Sequence, residues 1–153
     1  MGYTVSDLDV FNLIGDKSAL RGTSYFELHP GELPQPFACW LADSIFLRDA
    51  AFDFFLECFV QANPKMDYFG FERFDATQQG SLIDCLVEFH EELRPGCARA
   101  AIFSRYNSVF DQNAWNGVGT EALRHVVRQT AHDLGQFVAT VRTNGKALWV
   151  MGM

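Results

Sequence analysis

Carboxylates recur at four-residue spacing in two apolar stretches, and they are the residues whose chemistry the sequence displays most plainly. The stretch RDAAFDFFLECF places Asp49, Asp53 and Glu57 four residues apart. Four residues is just over one helical turn, so on a helix these side chains would form one stripe. The stretch SLIDCLVEFHEEL repeats the pattern, and its carboxylates are Asp84, Glu88, Glu91 and Glu92.

Neither stripe contains a lysine that would pair with its carboxylates. Like charges four residues apart destabilise an isolated helix by about 0.2–0.5 kcal/mol per pair. Two helices that carry this cost indicate either a solvated face of an acidic protein or a docking surface for a cationic partner. Phe46 and Val60 fall within the first stripe and would add apolar contact to such a docking surface.

Histidines offer a second possible chemistry. His125 and His132 are seven residues apart and Glu121 lies four before the first, so all three would share one side of a helix. Zinc ligands on a single helix are usually spaced i and i+4, and Arg124 and Arg128 would oppose a bound cation. We therefore interpret these histidines as surface residues and predict no metal and no cofactor. A small metal-dependent enzyme that uses His125 and His132 is kept as an alternative.

The segment FGFERF, Phe69 to Phe74, partly matches the aromatic core of the RNA-recognition motif, in which strand aromatics stack on bases. Asp67 and Tyr68 replace the basic residue and the glycine expected at its start. The segment is also acidic, whereas contacts to phosphate dominate nucleic-acid affinity. We predict a strand of the core here and no nucleic-acid partner.

Nucleophilic catalysis lacks a sequence signature. No serine lies in a nucleophile elbow, and the four cysteines, Cys39, Cys58, Cys85 and Cys97, are widely spaced without a CxxC pair. Cysteines at such spacing in apolar helical patterns are typical of reduced, buried thiols rather than of a disulfide framework or a zinc site. We predict a protein that is not an enzyme and that resides in the cytoplasm.

The charge of the chain is unevenly distributed. The 153 residues carry a net charge of −7, but residues 1–97 hold 6 Lys and Arg against 16 Asp and Glu, whereas residues 98–153 hold 6 against 3. Such a field attracts cationic partners to the acidic part and repels nucleic acid from it. Apolar runs are too short for a membrane helix, so no membrane partner is predicted.

Hydrophobic periodicity and turn residues place these groups on elements. Length and composition predict one globular domain over 1–153. We expect helices over Ala38 to Ala62, from Ser81 (with Asp84 as a capping box) to Leu93, and over Thr120 to Arg142. We expect strands over Ser24 to Leu28, over Met66 to Asp75 and at ALWVM, and we assign nothing to 97–119. The predicted class is α+β, with three or more long helices packed on a small, mostly antiparallel sheet.

A small, acidic, aromatic-rich domain without catalytic motifs, with an α+β pattern that ends in GKALWVMGM, resembles the immunity proteins of bacterial contact-dependent inhibition and other polymorphic toxin systems. The resemblance implies a protein that binds one cognate toxin domain, often a basic nuclease, and blocks it. The expected binding surface is then the two acidic stripes. A mimic of nucleic acid that inhibits DNA-binding proteins generally is a further alternative.

Overall fold

A four-stranded antiparallel sheet lies at the centre of the fold. The computed structural model describes residues 2–107 and 112–152. The strands are β1 (Tyr25–Pro30), β2 (Ile45–Arg48), β3 (Phe71–Phe74) and β4 (Leu148–Gly152), in the spatial order β2-β1-β4-β3. The predicted α+β class with a small antiparallel sheet is confirmed.

Helices cover one face of this sheet. They are α1 (Asp49–Phe52), α2 (Leu56–Ala62), α3 (Ala76–Glu92), α4 (Arg99–Ile102) and α5 (Thr120–Thr143), and short 3₁₀ segments span Val5–Phe11, Lys17–Ala19 and Gln112–Trp115. The two longest, α3 and α5, run antiparallel. At one end Arg142 Nε donates to the carbonyl of Ala76 (2.8 Å), and at the other Arg124 donates to the carbonyl of Leu93 (2.9 Å).

The α3 helix begins five residues earlier than predicted. The carboxylate of Asp75 accepts from the backbone N–H of Gln78, and the side chain of Gln78 accepts in return from the N–H of Asp75, both at 2.8 Å. This reciprocal capping box satisfies two amides at the helix start. Ser81 and Asp84, which the sequence predicts as the capping box, therefore lie inside the helix.

The helix predicted over Ala38 to Ala62 was wrong. Residues 38–44 form a loop and Ile45–Arg48 form strand β2, so the segment is helical only after residue 48, in two short pieces. In β2, Phe46 pairs with Glu27 on one face of the sheet and Leu47 pairs with Phe26 on the other, and both are buried. A strand covered on both faces has a continuous apolar run, which periodicity alone does not distinguish from a buried helix.

The core lies between the sheet and the helices. Phe26 stacks on Phe52 with ring centroids 3.8 Å apart, and Phe59 packs edge-on against Phe74 at 5.9 Å. The loop 31–44 covers the other face of the sheet, where Trp40 packs on Phe46 at 5.9 Å. The sheet therefore has apolar contacts on both faces, which accounts for the high aromatic content of the sequence.

A disulfide joins α2 to α3. Cys58 and Cys85 are bonded, with their Cα atoms 5.5 Å apart. The prediction of reduced thiols is thus wrong for this pair, because sequence spacing contains no information on which cysteines of neighbouring helices face each other. Cys39 and Cys97 are free.

Candidate interaction surface

The solvent-facing side of α3 is acidic. At 100° per residue, Asp84, Glu88, Glu91 and Glu92 occupy about 100° of the helix circumference. All four are exposed, and the buried residues Leu82, Leu86 and Phe89 lie on the opposite side. The predicted second stripe therefore exists on a helix and faces solvent.

Arg105 pairs with two members of this stripe. Its guanidinium lies 2.5 Å from Glu92 and 3.1 Å from Glu88, and it sits over the ring of Phe89 at 5.2 Å. The Arg105 side chain is only 12% exposed, so its charge is held beneath the two carboxylates. Arg105 lies 17 residues after Glu88 and 13 residues after Glu92 in the sequence. Helical spacing, which relates residues three or four apart, therefore does not predict this pairing.

Glu57 of α2 borders the same surface. Asn107, two residues after Arg105, donates from Nδ2 to Glu57 at 3.2 Å, and the disulfide next to Glu57 holds α2 against α3. We define the acidic surface as Glu57, Asp84, Glu88, Glu91 and Glu92. It carries five carboxylates. The guanidinium of Arg105 pairs with two of them, and Arg94 donates to the backbone carbonyl of Glu91 at 3.1 Å.

The first predicted stripe is not a stripe. Asp49 begins α1 and accepts from the N–H of Ala50 at 2.7 Å, whereas Asp53 follows α1 and is only 4% exposed. The hydroxyl of Tyr68 donates to Asp53 at 3.1 Å. The helix is interrupted between α1 and α2. The three carboxylates therefore do not share one helix face, as would be needed for a stripe of Asp49, Asp53 and Glu57. The side chain of Asp53 points into the protein. Of these three, only Glu57 belongs to the acidic surface.

Burial and the negative charge of Asp53 together raise the pKa of Tyr68 well above its usual value. Asp53 also receives the N–H of Asn107 on its backbone carbonyl, at 3.0 Å. Asp53 therefore holds Tyr68 with its side chain and Asn107 with its backbone carbonyl, both next to the end of α1. Neither contact leaves a pattern in the sequence.

Glu27 is a second buried carboxylate, and no pattern in the sequence predicts its burial. It is completely buried on β1, where it accepts from the N–H of Trp40 (2.5 Å), the N–H of Leu41 (2.9 Å) and the hydroxyl of Ser44 (2.7 Å). A carboxylate out of water is stable only with such donors. Two non-glycine residues of this loop, Trp40 and Asp43, have positive φ angles of 62° and 70°. Their strain is consistent with a loop that Glu27 holds in place.

His29 extends this network to the protein surface. Since the Ser44 hydroxyl donates to Glu27, its oxygen accepts from Nδ1–H of His29 at 2.9 Å. A serine nucleophile needs histidine between the hydroxyl and the acid, whereas here serine lies in the middle and is buried. The arrangement anchors the loop 31–44 and does not form a catalytic triad. Burial lowers the pKa of His29.

The predicted grouping of Glu121 with two histidines is not found. The Glu121 carboxylate accepts from Arg124 (2.9 Å) and from the N–H of Gly96 (3.2 Å), and these bonds lower its pKa. His132 lies instead beside His90 of α3, with ring centroids 5.6 Å apart. Among residues 2–107 and 112–152, no three His, Cys, Asp or Glu side chains are placed to hold a metal ion.

The FGFERF segment is only partly core. Phe74 is buried, but Phe69 is 72% exposed and Phe71 is also exposed. Phe37 packs near Phe71 (6.2 Å) and near Trp149 of β4 (5.8 Å), forming a partly exposed aromatic patch at the β3 edge. The prediction of a core strand thus holds for its last residue and fails for its first, because β3 is an edge strand.

Comparisons with protein-family models, curated proteins and solved structures find no match to this chain. In the part of the chain that the structure describes, none of the helices combines the length and the apolar character that crossing a membrane requires. The interpretation of function therefore depends on the geometry and the charge of the surface.

Proposed function

We propose that the protein is an immunity protein that binds a cognate toxin domain and neutralises it through the acidic surface. The observation that carries this proposal is the set of five carboxylates held together on α2 and α3, of which two pair with Arg105 and three form no described salt bridge. A nuclease-like toxin presents lysines and arginines to phosphates, so the same cations would pair with this surface.

Rigid placement supports the proposal. A disulfide joins the two helices, and Arg105 orients Glu88 and Glu92 from below. Carboxylates already fixed in position lose less side-chain freedom when a partner binds, which increases affinity. Glu57, Asp84 and Glu91 form no described salt bridge and are available to a partner's cations.

The mechanism would be steric and electrostatic rather than chemical. The acidic surface would cover the phosphate-binding cations of the toxin, and its field would accelerate association at low salt. Enzymatic activity plays no part in this function, and neither a cofactor nor a nucleic-acid partner is needed.

A triple substitution tests whether the acidic surface accelerates association with the toxin. In the variant Glu57→Gln, Asp84→Asn, Glu91→Gln, association with the cognate toxin domain should slow by about tenfold at low salt, and the salt dependence should weaken. These three positions leave the Arg105 bridges intact, so the fold is preserved. Stopped-flow or surface-plasmon measurements at several ionic strengths check the result.

A matched control removes three carboxylates elsewhere: Asp9→Asn, Glu32→Gln, Asp43→Asn. Its association rate should fall much less, because the net charge changes equally but the acidic surface is untouched. Equal slowing in both variants would show that net charge, and not this surface, steers the toxin. Tight binding of the parent to unrelated basic proteins would instead favour a general mimic of nucleic acid.

A further inference from the structure

A groove between α3 and α5 adjoins the acidic surface and differs from it in character. Small and aliphatic side chains line most of it: Ile83, Leu86, Val87, Ala131, Gly135 and Ala139. It has a volume of about 270 Å³ and is open to solvent along one side. With a rise of 1.5 Å per helical residue, the stretch from Ala131 to Ala139 is about 12 Å long.

Three histidines and one arginine gather at one end of the groove. His90 and His132 line this end and also line an adjoining hollow of about 320 Å³, together with His125 and Arg128. Arg128 Nε donates to the carbonyl of His90 at 3.3 Å, which places the guanidinium between the helices. Within the described residues, no carboxylate forms a salt bridge with Arg128.

Charges of both signs surround this end, because Glu91 also lines the groove. Burial, Arg128 and His132 lower the pKa of His90, while Glu91 raises it less. On α5, Asp133 accepts from Gln129 at 3.0 Å, and Arg124 is paired with Glu121. Because Arg128 lowers the pKa of His90 more than Glu91 raises it, the guanidinium of Arg128 dominates the charge at this end and complements an anion.

We propose that this groove binds an amphipathic monocarboxylate with an unbranched alkyl chain. The alkyl chain would lie along the groove over Leu86 and Gly135, and the carboxylate would meet Arg128 and His132. An added Cβ at Gly135 would come 3.9 Å from Leu86 Cβ, so the missing side chain leaves the floor open. An apolar cleft with a few convergent polar groups at one end is the usual form of a small-molecule site. The inference is independent of toxin binding.

The test compares decanoate with decan-1-ol and decyltrimethylammonium, which share the chain and differ in head group. Calorimetry on the intact protein near neutral pH should give decanoate an affinity at least about tenfold above that of the alcohol, because its head group alone forms charge-assisted hydrogen bonds. Arg128→Gln should remove that preference. Arg142→Gln, at the far end of the same helix pair, should change it less than about twofold.

Filling the groove gives a second readout. Gly135→Leu should weaken decanoate binding by at least about tenfold, whereas Gly135→Ala, which adds only the Cβ, should retain most of it. Circular dichroism on both variants establishes that they fold. If Gly135→Leu does not fold, shifts of the amide resonances of α3 and α5 in the parent locate the ligand instead.

Three results would overturn the proposal. Equal affinity for decanoate and decan-1-ol would indicate an apolar pocket suited to a side chain of a protein partner. Decanoate binding that neither Arg128→Gln nor Gly135→Leu weakens would place the ligand elsewhere. No binding of decanoate at about millimolar concentration would exclude the site for this class of ligand.

Discussion

At the scale of single residues, the contacts that shape this protein join groups far apart in sequence. Glu27 bonds to Trp40, Leu41 and Ser44 across 13 to 17 residues, and Arg105 reaches Glu88 and Glu92 from a later segment. Periodicity detects neighbours on one helix or strand, so it identified the α3 carboxylates and missed their cation. It also gave no indication that Glu27 or Asp53 is buried.

Replacing Glu27 tests whether a buried carboxylate anchors the loop 31–44. Glu27→Gln places an amide where the donors of Trp40, Leu41 and Ser44 meet, so some of these donors lose their acceptor. We expect the free energy of unfolding to fall by about 2–3 kcal/mol. Urea denaturation followed by tryptophan fluorescence measures it, since Trp40 lies in this loop.

The exposed Glu32 of the same loop supplies the matched control. Glu32→Gln removes only its surface ion pair with Arg73 and should change stability by less than about 0.5 kcal/mol. If both variants behave alike, the hydrogen bonds of Glu27 contribute no more than a surface pair, and the loop is held by packing alone.

At the scale of elements, the sequence predicted the long exposed helices and failed on the strand buried on both faces. The α5 helix was predicted from Thr120 to Arg142 and spans Thr120–Thr143, because one apolar face and one polar face give a clear period. In contrast, β2 has Phe46 and Leu47 buried on opposite faces, which removed the alternation that identifies a strand. The sequence predicted the exposed stripe of carboxylates on α3. The prediction of the first stripe on a helix over 38–62 was wrong, because that helix does not exist as one element.

The disulfide between α2 and α3 should contribute strongly to stability. It joins cysteines separated by 27 residues, and closing a loop of this length in the unfolded chain corresponds to about 3–4 kcal/mol. The double variant Cys58→Ser, Cys85→Ser should therefore unfold at lower denaturant. Chemical denaturation of parent and variant, with thiol titration to count free cysteines, measures both quantities.

Cys39 and Cys97 provide the comparison for this experiment. The parent should show two free thiols under non-reducing conditions, and Cys97→Ser should leave the free energy of unfolding within about 1 kcal/mol of the parent. Four titrating thiols in the folded parent would contradict the Cys58–Cys85 bond.

At the scale of the whole molecule, the charge asymmetry of the sequence becomes a difference between surfaces. The carboxylates of residues 1–97 do not act as one field, because Glu27 and Asp53 are buried and Glu88 and Glu92 are paired. What faces solvent is the acidic surface on α2 and α3, next to an apolar groove that α3 forms with α5 and that has Arg128 near one end. Net charge alone would have described an acidic protein and missed the groove, because one end of the groove combines His90 of α3 with Arg128 and His132 of α5.

Two partly buried histidines also couple the stability of the whole molecule to pH. Burial lowers the pKa of His29, and burial, Arg128 and His132 lower the pKa of His90, so near pH 6.5 both bind fewer protons in the folded state than in the unfolded chain. Their contribution to stability is therefore present above the ordinary histidine pKa and is lost as pH falls through the lowered values. Urea midpoints measured between about pH 7.5 and pH 5.5 should decrease with acidification.

Two variants assign part of this loss to His90. Arg128→Gln removes one of the cations that lower its pKa, so the NMR titration midpoint of His90 should rise while that of His29 stays unchanged. The loss of stability on acidification should become smaller in this variant. Arg142→Gln removes the same charge at the far end of α5 and should leave the His90 midpoint where it is in the parent. A His90 midpoint that does not respond to Arg128→Gln would mean that Arg128 contributes no positive charge at the end of the groove, and that burial and His132 lower the pKa of His90 without it.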